Sequence, residues 1–202
     1  MPAEQAVNVW DALMQYGRPF DIHAAGMLAL DVARIEAGLL LIEVDFFSSK
    51  KALIESQKYS PYEMGLGRLV QLDGGPFIGR TALTCEHASG SPREVVGLTI
   101  DWPQVERLYE QVGLPPQVPS AASRVHVPVF KDGKQVGRAT STTWSPILKQ
   151  LIALATVASP HTRPGARLEV EMTVEAVRHR VSATVTKTPF FNPPRKMATP
   201  PR

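Results

Sequence analysis

A helix needs a second layer to bury its apolar side against, and the first 88 residues of this 202-residue chain offer helices without such a layer. Ala6, Val9, Trp10, Leu13 and Met14 recur at three- and four-residue spacing, so residues 4–16 read as a helix that Gly17 ends. Residues 26–37 read as a second helix, with Leu28, Val32, Ile35 and Leu39 on one apolar stripe and Gly38 near its end. Residues 81–87 give a short third helix, residues 20–23 a short extended piece, and residues 45–76 are rich in loops. No sheet is evident within 1–88. The segment reads as part of a larger domain, completed by another chain or by an upstream region.

After Gly90-Ser91-Pro92 the pattern changes to alternation at period two. Residues 95–100 read as a strand. Residues 127–139 read as a hairpin, because Asp132-Gly133 supplies the positive φ of a tight primed turn. Residues 151–157 form a nearly continuous buried strand, and Leu168, Val170, Met172 and Val174, then Val181, Ala183 and Val185, alternate with polar neighbours. Five or more short strands, one helix at about 104–111 and a proline-rich link over 113–120 predict a small antiparallel barrel or sandwich. The fold class is therefore α+β: a helical and loop segment over 1–88, a barrel over 92–188, and a mobile basic tail over 189–202.

That tail decides how the charge is read. The chain has 22 Lys and Arg against 19 Asp and Glu, a net +3, and Arg195, Lys196 and Arg202 carry all of it. The body has no cationic excess for binding nucleic-acid phosphates. No apolar run is long enough to span a membrane, and the first five residues lack the pattern of a signal peptide. The single cysteine, Cys85, can form no internal disulfide, which fits a cytoplasmic protein. None of the five histidines has a partner at zinc-ligand spacing, and Cys85 has no cationic neighbour to lower its thiol pKa. Gly65, Gly67, Gly74 and Gly75 open no phosphate-cradling helix. Neither a metal site nor a catalytic residue is expected.

Two stretches bear on binding. On the helix over 26–37, Arg34 lies about 130° from the centre of the apolar stripe and about 160° from Glu36, so those two cannot pair. Each must find a partner elsewhere. One reading of Arg34 is a guanidinium beside Met27 and Leu30, placed to meet a ligand carboxylate; the other is an Asp31–Arg34 pair one turn apart. On the ligand reading, Arg34→Ala weakens ligand binding by about 1.5–3 kcal/mol and leaves stability within about 0.5 kcal/mol. The second stretch is residues 60–67, where Glu63 stands between Pro61 and Gly65 and either caps backbone N–H groups or faces a cleft.

These same stretches resemble the aminomethyltransferase family, the folate-dependent T-protein of glycine cleavage and its relatives. That family carries R-L-E-A-G, an Asp eleven residues after its Arg, T-P-x-E-x-G-L-x-W and F-I-G-R-x-A-L. Its barrel carries G-x-x-T-S-x-x-x-S-P, a strand like I-A-L-A-x-V, P-G-x-x-L-x-V and a final P-F. This chain has Arg34-Ile35-Glu36-Ala37-Gly38, Asp45, Ser60-Pro61-Tyr62-Glu63-Met64-Gly65-Leu66 and Phe77-Ile78-Gly79-Arg80. It continues with Gly137, Thr140-Ser141, Ser145-Pro146, residues 152–157, Pro164-Gly165 and Pro189-Phe190, all in the family's order over roughly residues 20–191.

The resemblance implies tetrahydrofolate as one-carbon acceptor, with Arg34 contacting the folate and Asp45 and Glu63 shaping the loop near it. It also implies that residues 1–88 correspond to the end of a folate-binding domain. The family's assisting aspartate and pterin-holding glutamate lie upstream and have no counterpart here. The chain alone is then expected to show little transferase activity. A second expectation is a non-catalytic subunit or module that completes a folate site with a partner chain; a third is a truncated homologue without activity. Two departures bear on the substrate: the family's Tyr-Gly is Ile42-Glu43 here, and its Trp after G-L is Arg68.

Overall fold

The computed structural model describes residues 2–197, apart from the side chains of Arg195 and Met197. Helices α1 (Ala6–Gly17), α2 (Met27–Glu36) and α3 (Arg80–Ser89) precede strand β1 (Arg93–Ile100), and α4 (Trp102–Gln111) follows it. The chain then runs through β2 (Val127–Lys131), β3 (Lys134–Ser145), β4 (Gln150–Ala158), β5 (Arg167–Val174) and β6 (Val177–Thr186). The six strands close into an antiparallel barrel in the order β1-β4-β3-β2-β5-β6. Closure leaves no unpaired sheet edge. The helical and loop segment followed by a small barrel is the architecture the sequence predicts.

Alternation fills the barrel. Leu98, Ile100, Val129, Leu151, Val170 and Val181 point inward, and Val105 of α4 plugs one end beside Trp102 and Leu108. Asp101 caps α4, its side chain accepting from the Gln104 N–H at 3.0 Å, with Pro103 in the first turn. The β2–β3 turn uses Asp132 and Gly133 with φ of 49° and 80°, which is the primed geometry Asp-Gly suits.

Strand β4 is buried at every position from Leu151 to Val157. Its odd-numbered members face the barrel interior, and Ile152 and Leu154 point outward into a second cluster with Ile35 of α2, Leu40, Ala122 and Phe190. A strand covered on both faces has little polar side, which explains a run broken only by Thr156, whose hydroxyl hydrogen-bonds that of Tyr59 at 3.0 Å.

Helix α2 docks by its C-terminal half only. Asp31, Arg34, Ile35 and Glu36 are buried, whereas Leu28 and Leu39, the ends of its apolar stripe, are 65% and 61% exposed. Helix α1 has no buried residue.

Two local expectations need correction. Residues 20–23 are not extended: Arg18–Phe20 is a 3-10 turn with Pro19 in its first turn, and Asp21 is left-handed at φ 55°. Proline's fixed φ and aspartate's tolerance of that region favour the turn over a strand. The tail is not loose from residue 189. The Phe191 N–H donates to Glu36 O at 2.9 Å, and the Phe190 ring lies over Gly97, where a Cβ would come within 2.7 Å of it. The tail's last residues, 198–202, lie outside the described residues.

Candidate functional site

The candidate site begins where α2 meets the barrel wall. Arg34 donates from Nε to Asp31 Oδ1 (2.7 Å), from Nη1 to Asp45 Oδ2 (2.6 Å) and from Nη2 to Ser141 Oγ (2.8 Å). Asp45, almost wholly buried, also accepts from the Leu41 N–H at 2.8 Å and from the Thr140 and Ser141 hydroxyls, each at 2.6 Å. Two adjacent strand residues normally face opposite sides. Here the β3–β4 register shifts between Ala139 and Ser141, and this irregularity lets both hydroxyls reach one carboxylate.

A second guanidinium completes the cluster, as Arg124 Nε donates to Asp31 Oδ2 at 2.9 Å from a half-exposed position. Burial alone would raise the Asp31 carboxyl. Hydrogen bonds from Arg34 and Arg124, with the attraction of both guanidiniums, outweigh it and hold its pKa below the usual carboxylate value. Two cations thus face two anions in a set that is formally neutral. Glu36, on the other side of the helix as its angle requires, accepts from Ser145 Oγ at 2.6 Å.

Both sequence readings of Arg34 meet here. The Asp31–Arg34 pair forms, and the guanidinium also lines an apolar pocket of about 230 Å³ with Met27, Leu30, Leu41 and Arg124. Two of its five N–H groups have no partner among the described residues. The stability expectation for Arg34→Ala needs correction. Removing this side chain leaves Asp31 without one buried partner and Asp45 without the only cation it has among the described residues, which costs about 3–5 kcal/mol rather than a few tenths.

Glu63 is held elsewhere. Its Oε2 accepts from the Ser60 N–H at 3.0 Å while Ser60 Oγ accepts from the Glu63 N–H at 3.1 Å, a reciprocal cap. Arg93 of β1 then clamps it, Nε to Oε1 at 2.9 Å, with its guanidinium 4.1 Å from the centre of the Tyr59 ring. Glu63 shapes the 56–63 loop and fastens it to the barrel; among the described residues it shares no hydrogen-bond partner with Arg34 or Asp45.

Sequence reasoning assigned no role to Arg124, Arg93 or the hydroxyls of Thr140, Ser141 and Ser145. The signal available for the hydroxyls was their place in a strand whose neighbours are core, where a buried hydroxyl needs a polar partner.

A reduced folate is larger than the Arg34 pocket. Arg34 and Arg124 above an apolar wall suit the carboxylate end of such a molecule, and the pocket's volume holds only part of it. The residues present fit one end of a folate site.

Comparison with known proteins gives a consistent result. Residues 1–74 match the "GCVT N-terminal domain" family and residues 110–192 the "Glycine cleavage T-protein C-terminal barrel domain" family. An aminomethyltransferase of Moorella thermoacetica is 34% identical over 195 residues, covering 96% of this chain and 45% of that protein. One from Desulfitobacterium hafniense is 30% identical over 181 residues, covering 90% and 42%. The crystal structure of the glycine cleavage system aminomethyltransferase T from Bartonella henselae superposes with a TM-score of 0.68 at 20% identity, covering 95% of this chain and 45% of that one, a likeness of fold. The chain thus spans less than half the length of the relatives it matches. It belongs to the aminomethyltransferase (glycine cleavage T-protein) family, of which it carries the end of the N-terminal domain and the C-terminal barrel.

Proposed function

We propose that this chain supplies the C-terminal share of a cytoplasmic, folate-dependent one-carbon transfer site. Further polypeptide, continuous with it or a separate subunit, completes that site against α1 and α2. The observation that carries the reading is the bare apolar surface of these helices. Trp10, Leu13 and Tyr16 of α1 are 53%, 58% and 76% exposed, and Met27, Leu28 and Leu30 of α2 are exposed as well. Faces of this kind mark a contact.

A bound tetrahydrofolate supplies the ring nitrogen that accepts the one-carbon unit. Arg34 and Arg124 would hold a carboxylate of that molecule, with Met27, Leu30 and Leu41 along its apolar part. Asp45, itself held by the Thr140 and Ser141 hydroxyls, would act on Arg34 directly and fix the guanidinium's direction. Glu63 would hold its loop shut against β1.

On this reading the chain alone transfers no one-carbon unit, because the family's assisting carboxylate lies upstream of the matched region. The test is a chimera in which this chain replaces the matching C-terminal portion of the Moorella thermoacetica relative. Tetrahydrofolate-dependent turnover is expected from the chimera and none from the chain alone. A folded chimera that fails to bind tetrahydrofolate, or turnover by the chain alone, overturns the reading.

A further inference from the structure

A second cleft, of about 520 Å³, lies apart from the Arg34 pocket. It lies between the end of α2, the loop over 64–68, the wall formed by β1 and β4, and Thr188-Pro189. Leu39 and Leu40 line both spaces and form the partition between them. Its walls are mostly apolar, with Phe46, Met64, Leu66 and Leu154 among them, and no carboxylate lines it. The volume is in the range of small-molecule sites, about 300–1,000 Å³.

One charged side chain lines this cleft, and it is Arg68. Arg34 and Arg93, the two arginines with important roles above, are each tied to acids. Arg68 is exposed and makes no hydrogen bond or ion pair among the described residues. It also stands where the family pattern resembled by this chain carries Trp. An unpaired guanidinium on an apolar cleft of this size, with no acid to compete, offers two complementary features. It takes a carboxylate in bidentate fashion, and the walls beneath take an apolar body.

We infer that this cleft is a second binding site, for a small carboxylate-bearing molecule with an apolar body, and that Arg68 is its anion-recognising, specificity-determining residue. Only the ligand's use as a one-carbon donor rests on the function proposed above; the binding stands on the cleft itself.

The test compares 4-phenylbutyrate with 4-phenylbutan-1-ol, which share a body and differ in charge, by NMR titration of the full chain. The carboxylate should bind at least tenfold more tightly, should shift the amide signals of Met64, Leu66 and Arg68, and should lose its advantage at high salt. Arg68→Leu should reduce carboxylate binding to the level of the alcohol, and Arg68→Lys should restore part of the difference. Leu66→Trp, which fills the cleft, should weaken both ligands. Equal binding of the two ligands by the unaltered chain overturns the inference, as does no binding at all. So does a preference abolished by Arg124→Leu but not by Arg68→Leu. All these readouts are of binding, so they stand apart from loss of one-carbon transfer.

Discussion

Helix α1 and strand β4 are written in similar apolar residues, and the structure treats them in opposite ways. Every position of β4 from Leu151 to Val157 is buried, with Leu151, Ala153, Ala155 and Val157 inside the barrel and Ile152 and Leu154 under Ile35, Leu40 and Phe190. Helix α1 is a well-formed amphipathic helix with no buried residue at all. The difference lies in the neighbours. An apolar stripe stabilises a fold only where a second layer removes it from water. For β4 that layer is present on both sides, and for α1 it is absent among the described residues. Helix α2 spans both conditions, its last turns seated on the barrel and its first turns bare.

This contrast can be broken or sharpened by substitution, beginning with the seated end of α2. Arg34→Ala should cost about 3–5 kcal/mol, read as a lowered urea midpoint, because two buried carboxylates lose a cation. A loss below 1 kcal/mol would mean that the cluster is open to water. Next comes Leu154→Ala on the outward face of β4, expected to cost about 2–5 kcal/mol as a buried side chain whose removal leaves a cavity. A near-neutral result there would detach α2 and Phe190 from the barrel.

The pH dependence is smaller and has a defined sign. Asp31 is held below its ordinary pKa, so its contribution is complete above about pH 4 and is lost as pH falls through its lower folded value. Asp31→Asn should flatten that part of the stability profile in acid titration monitored by circular dichroism. A profile unchanged by the substitution would contradict the role given to Arg34 and Arg124. The smallest effect is expected on α1, where Leu13→Ala should change the stability of the isolated chain by no more than about 0.5 kcal/mol. A core-like loss would show that α1 already has a partner.

Much of the barrel was legible because its signals are local. Alternation located the strands, Asp132-Gly133 the hairpin turn, and the nearly continuous apolar run over 151–157 a buried strand. The angular argument on α2 also held, since Arg34 and Glu36 point to different partners, Asp45 and Ser141 for one and Ser145 for the other. Those partners themselves were not legible. Ser141 lies 107 residues from Arg34 and reaches Asp45 together with Thr140 only through a register shift that no local pattern announces. Glu63 as a cap followed from its place between Pro61 and Gly65, whereas the reciprocal bond with Ser60 and the Arg93 clamp depend on how the loop folds onto β1. The docking of Phe190 escaped notice because a proline-rich terminus looks the same whether or not Gly97 leaves room for a ring above it.

The central claim is that α1 is folded to meet polypeptide outside this chain's own layers. Hydrogen–deuterium exchange on the isolated, monomeric chain tests it directly. The account predicts rapid exchange of the α1 amides beside slow exchange in β4, with α1 becoming protected once the family's N-terminal portion is joined to it. Slow exchange in α1 of the lone chain, matching β4, would contradict it.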